Sequence, residues 1–278
     1  MNRQADVRSS LIKMLWHRSE EDDIPGLSAQ LAYFFLLSLF PLLIVIFTLI
    51  PYLPIPHEDV LGAIRAFAPP DTMDLIERNV NDIMNNRNGG LLSIGIIGTM
   101  WSASNGINAI VKAFNKAYNV KESRSFIVSR GMAILLTFGM ILVFIVALIL
   151  PIFGREIGLF LFSQFGFTDE FIQVWNMSRL LVSALILFLI FTGLYWIAPN
   201  IKLRCRSAIP GAAFASVGWI LSSFGLSFFV GNITNYSLTY GSIGAIIVLM
   251  IWLYISAFII ILGGEINAYY SEKNKQNC

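Results

Sequence analysis

Charge is what this sequence has least of. Asp, Glu, Lys and Arg make up 13% of its 278 residues, about half the roughly 25% of a soluble domain, while 56% of the chain is hydrophobic. A soluble globule of this size needs a polar coat, and too few polar residues are present to make one. An integral membrane protein is therefore predicted. The formal net charge of +2 lacks the basic excess of a nucleic-acid binder, so no nucleic-acid partner is expected. Two cysteines, Cys205 and Cys278, are too few for a disulfide framework or a zinc site. The two histidines, His17 and His57, fall on opposite sides of the membrane in the topology below and cannot cooperate. HExxH, GxSxG and Walker-type phosphate loops are missing. No metal, no cofactor and no enzymatic activity are expected.

The charges that are present leave long gaps. Residues 24–57, 88–111, 131–154, 180–201 and 207–264 contain no Asp, Glu, Lys or Arg. A helix needs about 20 mainly apolar residues to cross a bilayer core about 30 Å thick. The first four gaps each supply one span and the last supplies two, separated by GNITNYSLTYGS (231–242), which reads as a turn. Runs such as LLTFGMILVFIVALIL (135–150) do not alternate in polarity as barrel strands do. The prediction is all-α: a single membrane domain with six spans at about 29–50, 91–111, 131–153, 180–198, 208–230 and 243–264. Alternate connections are unequal in Lys and Arg. The N-terminus, the loops 112–130 and 199–207 and the tail hold 14 of them, the other connections five. Both termini are expected in the cytoplasm, with the first span retained rather than cleaved as a signal peptide.

Outside the spans, Val7, Leu11, Met14 and Leu15 share a helical face while Arg8, Lys13, His17 and Arg18 lie elsewhere. Residues 1–26 thus read as a helix lying in the inner interface or packed on the inner loops. The acidic run Glu20–Asp23 ahead of Pro25 reads as a solvated cap. Residues 52–90 read as an outer amphipathic helical hairpin, a packing cover or a lid, and 157–168 as a segment dipping into the outer interface.

Polar residues within the spans are the candidates for function, because a polar group in lipid needs a partner or a wet path. Span two places Gly98, Ser102, Asn105 and Ala109 on one face, with Asn108 beside it and Lys112 at its foot. This face is either interhelical glue or a solute pathway. Trp101, Trp219 and Trp252 lie near the middles of spans two, five and six and serve packing or a mid-depth cavity. Pro41 removes a helical N–H and should kink span one. Glu265, just beyond Gly263 and Gly264, is an inner-rim acid that could pair with Lys112 or a loop arginine, as a latch or a gate.

Three segments, SAQLAYFFLLSLFPLLI (28–44), WSASNGINAIVKAFNKAYNV (101–120) and NYSLTYGSIGAIIVLMIWLYISAFIIILGGEINA (235–268), together resemble the YihY/BrkB family of bacterial inner-membrane proteins. The resemblance runs over nearly the whole chain. It places Leu36, Ser38 and Pro41 in the family's first signature, Trp101, Ser104, Asn105 and Asn115 in its second, and Tyr240, Gly241, Trp252, Tyr254, Gly263 and Glu265 in its third. In the second signature a basic residue often stands where this chain has Asn105, so an anion-contacting role does not carry over to that position. The family has been labelled ribonuclease BN, a label the residues oppose, since a zinc nuclease needs a cluster of His and Asp ligands. The resemblance implies a six-helix inner-membrane protein. The expected function is transport or lipid translocation, with membrane lipids and an unidentified solute or lipid as partners. Ser102, Asn105, Asn108, Trp101, Trp219, Trp252 and Tyr240 form the candidate polar pathway. The alternative is a non-transporting scaffold for an envelope complex, acting through the outer hairpin and the basic inner loops.

Overall fold

The computed structural model describes residues 11–52, 61, 77, 88–141, 169–203, 205–232 and 234–276. Most of the predicted outer hairpin, the segment 157–168 and residues 1–10 lie outside the described residues. Among the described residues every long element is a helix: α1 (Leu11–Glu21), α2 (Ile24–Leu49), α3 (Gly89–Ala117), α4 (Phe126–Ile141), α5 (Asp169–Ile197), α6 (Ile209–Asn232) and α7 (Thr234–Gln276). Three stretches, Ile24–Leu49, Arg206–Phe229 and Ile246–Lys273, are long and apolar enough to cross a membrane, and Phe126–Ile141 and Leu181–Ile197 are shorter apolar helices. Their surfaces are apolar too. Phe126, Ile127, Leu181, Leu221, Phe224 and Phe228 are all exposed, a density of uncovered side chains that water would penalise and lipid would not.

Local chemistry sets the helix ends. Asp23 sits at φ 53° and its Oδ1 accepts a hydrogen bond from Gly26 N at 3.3 Å, capping α2 where Pro25 occupies its first turn. The acidic run is thus only partly solvated, since Asp22 is buried. At the end of α3, Asn119 adopts φ 52°. Val120 N then donates to Asn115 O at 2.9 Å, the closure that a left-handed residue allows after a helix. The segment 231–242, read as a turn, is shorter than expected. α7 already begins at Thr234, because Asn, Ser and Gly weaken a helix by a fraction of a kcal/mol to ~1 kcal/mol each and no proline is there to stop it.

The chain divides into two compact units, Phe34–Ala103 and a larger one formed by Met1–Tyr33 with Ser104–Cys278. In the smaller unit, Pro41 stands inside an unbroken α2 and packs against the small face of α3. A Cβ on Gly98 would lie 3.2 Å from Pro41 Cβ, and one on Gly95 would lie 3.0 Å from Val45 Cγ2. The glycines of the span-two face are therefore used for close helix contact.

In the larger unit the core is concentrated where α3, α5, α6 and α7 meet. Phe114 and Tyr195 rings lie 5.0 Å apart, and Tyr195 Oη donates to Ile260 O at 2.7 Å. The Asn267 side chain accepts from Gly211 N at 2.7 Å. Two connections are stitched together beside this core. Arg124 donates to the carbonyls of Ala198 and Pro199 at 3.2 and 2.5 Å. Asn115 accepts from Asn200 N at 2.7 Å and donates to Glu122 Oε2 at 2.9 Å.

Candidate functional site

The most polar part of this core is an ion cluster that joins α1 to α7. Arg18 is 0% exposed and Glu265 1%. Arg18 Nη2 donates to Glu272 Oε2 at 2.5 Å, and Nη1 faces Glu265 Oε2 at 3.5 Å, an ion pair too long to be a strong hydrogen bond. Glu265 and Glu272 are seven residues apart, two helical turns, so they lie on one face of α7. Arg18 is presented between them because it follows Met14, which is also fully buried, by one turn of α1. Burial works against the guanidinium charge, but Glu272 and then Glu265 outweigh it and raise the Arg18 pKa above its ordinary value.

The cluster is not fully satisfied. Arg18 Nε and Tyr118 Oη are buried and have no hydrogen-bond partner. Each such group costs about 1–3 kcal/mol, so the arrangement is not the cheapest way of fastening α1 to α7. Burial, and then the negative charge of Glu265 and Glu272, push the Tyr118 phenol well above its ordinary value. The sign follows directly. In the unfolded chain this phenol loses its proton near pH 10, while the folded chain holds it, so its contribution to stability is complete below about pH 10 and declines above it. An alkaline titration read by tyrosinate absorbance should show one fewer late-ionising phenol in Tyr118→Phe than in the parent. The parent should also lose stability more steeply above about pH 10; identical curves for the two proteins would refute this assignment.

The predicted site residues are only partly assembled. Glu265 pairs with Arg18, not with Lys112, which is exposed on α3. Asn105 accepts a hydrogen bond from Arg130 Nη1 at 2.9 Å, tying α3 to the start of α4. Ser102 is buried and Asn108 half-buried. Trp219 and Trp252 are brought together, ring centroids 5.8 Å apart, whereas Trp101 belongs to the other unit and is 60% exposed. Tyr240 lies in α7, with its side chain outside the described residues. On α1, Met14 and Arg18 are buried and Trp16 is exposed. Sequence reasoning missed Arg18, Tyr118, Asn267 and Glu272. The available signal was the pair Glu265 and Glu272 on one face of a strongly apolar helix, which demands a buried cation from elsewhere in the chain.

A helical bundle with apolar outer surfaces, lipid-length helices and a buried ion cluster defines an integral membrane protein. Residues 15–277 match the sequence model of the family described as virulence factor BrkB, and the chain belongs to that family. It is 53% identical over 266 residues to the ribonuclease-like protein YfkH of Bacillus subtilis, covering 96% of this chain and 97% of that protein. It is also 27% identical over 278 residues to a UPF0761 membrane protein of Pseudoalteromonas atlantica, covering 96% of this chain and 89% of that one. The corresponding protein of Vibrio campbellii is 28% identical over 268 residues, 95% of this chain and 83% of its own length. No solved structure matches.

Proposed function

We propose that this chain is a transporter or lipid-translocation protein of the bacterial cytoplasmic membrane, without enzymatic activity. In this reading it crosses the membrane six times with both termini inside, and the Arg18–Glu265–Glu272 cluster is its cytoplasmic gate. The observation that carries the reading is the buried, incompletely satisfied ion cluster itself. A buried charge pair contributes little net stability compared with apolar residues of the same volume, and an ionisable residue buried within a bundle of membrane helices is a candidate for function by default. A cluster that holds an N-terminal helix by two carboxylates and leaves neighbouring donors unpaired is suited to being broken and remade. The substrate, solute or lipid, is not specified by this cluster.

The test uses protein reconstituted in liposomes, with Cys205 and Cys278 replaced by serine and single cysteines placed at Ser102, Asn105 or Asn108. Arg18→Lys keeps the charge, but a lysine cannot offer the guanidinium fork to two carboxylates. If the cluster is a gate, this change should raise the rate of labelling by a membrane-impermeant maleimide at one or more of the three positions about tenfold, the range expected for coupling of 1–3 kcal/mol. Cysteines that stay unlabelled in both backgrounds would sink the pathway. A stoichiometric cross-linked partner together with normal lipid and solute flux in a deletion strain would favour the scaffold.

A further inference from the structure

One stretch of the larger unit uncovers polar side chains where a membrane helix ordinarily uncovers apolar ones. Between Asn105 and Ala117 every residue of α3 is buried except four: Asn105 and Asn108, which are half-buried, and Lys112 and Lys116, which are exposed. Spacings of three, four and four residues put these four on one stripe of the helix. On α6 and α7 the uncovered stripes are mainly apolar, as with Leu221, Phe224 and Phe228, and with Ile251 and Ile255. Lipid tails account for those stripes but not for this one, because amide and ammonium groups facing hydrocarbon give up their hydrogen bonds to water.

Helix α4 adds a third cation to the stripe. Arg130 Nη1 donates to Asn105 Oδ1 at 2.9 Å, which holds the guanidinium seven residues, about 10 Å, along α3 from Lys112. A guanidinium has five N–H donors, and this bond uses one. Among the described residues neither Arg130 nor Lys112 has a carboxylate partner, in contrast to Arg18 and Arg124. Arg130 is half-buried and Lys112 exposed, so an occupant reaches them along the surface and needs no cavity. Beside Arg130 the surface is open as well, a Cβ on Gly131 meeting nothing within 4 Å.

The flank of the stripe is hydrocarbon. Ile127 precedes Arg130 by three residues and Phe138 follows it by eight, which puts both on the side of α4 that adjoins Arg130, and they are 81% and 58% exposed. A surface with cations and amides on one helix and uncovered hydrocarbon on the next suits an amphiphile with a negative head. A free anion would leave the hydrocarbon uncovered, and a neutral head would leave the cations without a counter-ion. From this arrangement we infer that the α3 stripe of Asn105, Asn108 and Lys112, together with Arg130, binds the phosphodiester headgroup of an anionic phospholipid, its acyl chains running over the exposed side of α4. Arg130 offers its planar fork to the phosphate oxygens and Lys112 a point charge, with the Asn108 amide as a further donor between them. The inference rests on the six-span reading for the place of α3 and α4 in the bilayer, but not on the gate: a headgroup can be held on this stripe whether or not it is carried across.

The probe is phosphatidylglycerol compared with phosphatidylcholine, each spin-labelled near the top of one acyl chain, in nanodiscs containing the full chain. Cys205 and Cys278 are replaced by serine, and a bimane fluorophore is placed on a single cysteine at Leu135, exposed on α4, or at Leu221, exposed on α6. Relative quenching by the two lipids at equal mole fraction gives their relative affinity for the labelled surface. Phosphatidylglycerol should be preferred about tenfold at Leu135, the range for two basic residues at a membrane surface, and the two lipids should quench equally at Leu221. Lys112→Gln/Arg130→Gln removes both charges, keeps a donor for Asn105, and should abolish the preference. Lys112→Gln alone changes an exposed side chain that folding does not depend on, and should reduce the preference severalfold. Equal quenching at Leu135 in the parent overturns the headgroup site while leaving α4 in lipid. A preference as strong at Leu221, or unchanged in both variants, overturns it too. A label at Leu135 that neither lipid reaches overturns it together with the placing of this edge in lipid, since protein then covers the stripe. If millimolar inorganic phosphate at constant ionic strength removes the preference, the stripe takes a free anion and the lipid assignment falls.

Discussion

Arg18→Ala is expected to destabilise the protein by about 3–5 kcal/mol, the range for breaking a buried ion pair by deleting one partner. The loss exceeds that of any single contact because Arg18 is the counter-ion of two carboxylates, at 2.5 Å for Glu272 and 3.5 Å for Glu265. Without it, Glu265, 1% exposed, is left as a buried charge facing Glu272 on the same face of α7. Thermal or denaturant unfolding in detergent measures the effect. The informative control is the triple variant Arg18→Met/Glu265→Gln/Glu272→Gln, which removes all three charges together. It should recover most of the loss, since a buried ion cluster replaced by neutral groups of similar volume is often close to neutral in stability. If Arg18→Ala unfolds like the parent, the cluster is hydrated and neither latch nor gate. If the triple variant is as damaged as Arg18→Ala, the side chains matter for packing rather than charge.

The second large effect is at the crossing of α6 and α7. A methyl group on Gly211 would meet the carbonyl oxygen of Gly263, a contact with backbone, and the amide of Asn267. Neither can move away cheaply. The Gly263 carbonyl belongs to the helix itself, and Asn267 is held by its hydrogen bond to Gly211 N. Gly263 is equally confined, by the Tyr195 hydroxyl and by Gly211 O at 3.0 Å. Gly211→Ala should cost about 3 kcal/mol, at the upper end of overpacking penalties, and should lower the yield of folded protein from membranes. Gly225→Ala, on the same helix α6 with nothing within 4 Å of the new methyl, should gain up to ~1 kcal/mol from helix propensity alone. Their unfolding curves should move in opposite directions; equal shifts would mean that the close approach of α6 and α7 does not hold in the membrane.

What the sequence determined by itself is the class and most of the helical layout. A shortage of charge and the placing of what remains identify a membrane protein, because no packing can hide so many apolar side chains from water. Among the described residues, the uncharged runs overlap α2, α3, α4, α5, α6 and α7. The sequence also marked Glu265 as an inner-rim acid and Pro41 as a kink in span one; the contact of Pro41 with Gly98 came from the structure. The partners of these residues were not legible. Arg18 looked like a wet residue because the local apolar face of α1 was drawn through Val7, Leu11, Met14 and Leu15. Only the docking of α1 on α7 turns its other edge inward, across 247 residues to Glu265 and 254 to Glu272. Asn105 stood open between interhelical contact and pathway, and its bond to Arg130 was not legible. Trp219 and Trp252 came together. Periodicity and charge are properties of a single helix and can be read along the chain. Which face of each helix is inside, and which buried polar atoms remain unpaired, are properties of the assembled helices and were decided by tertiary packing.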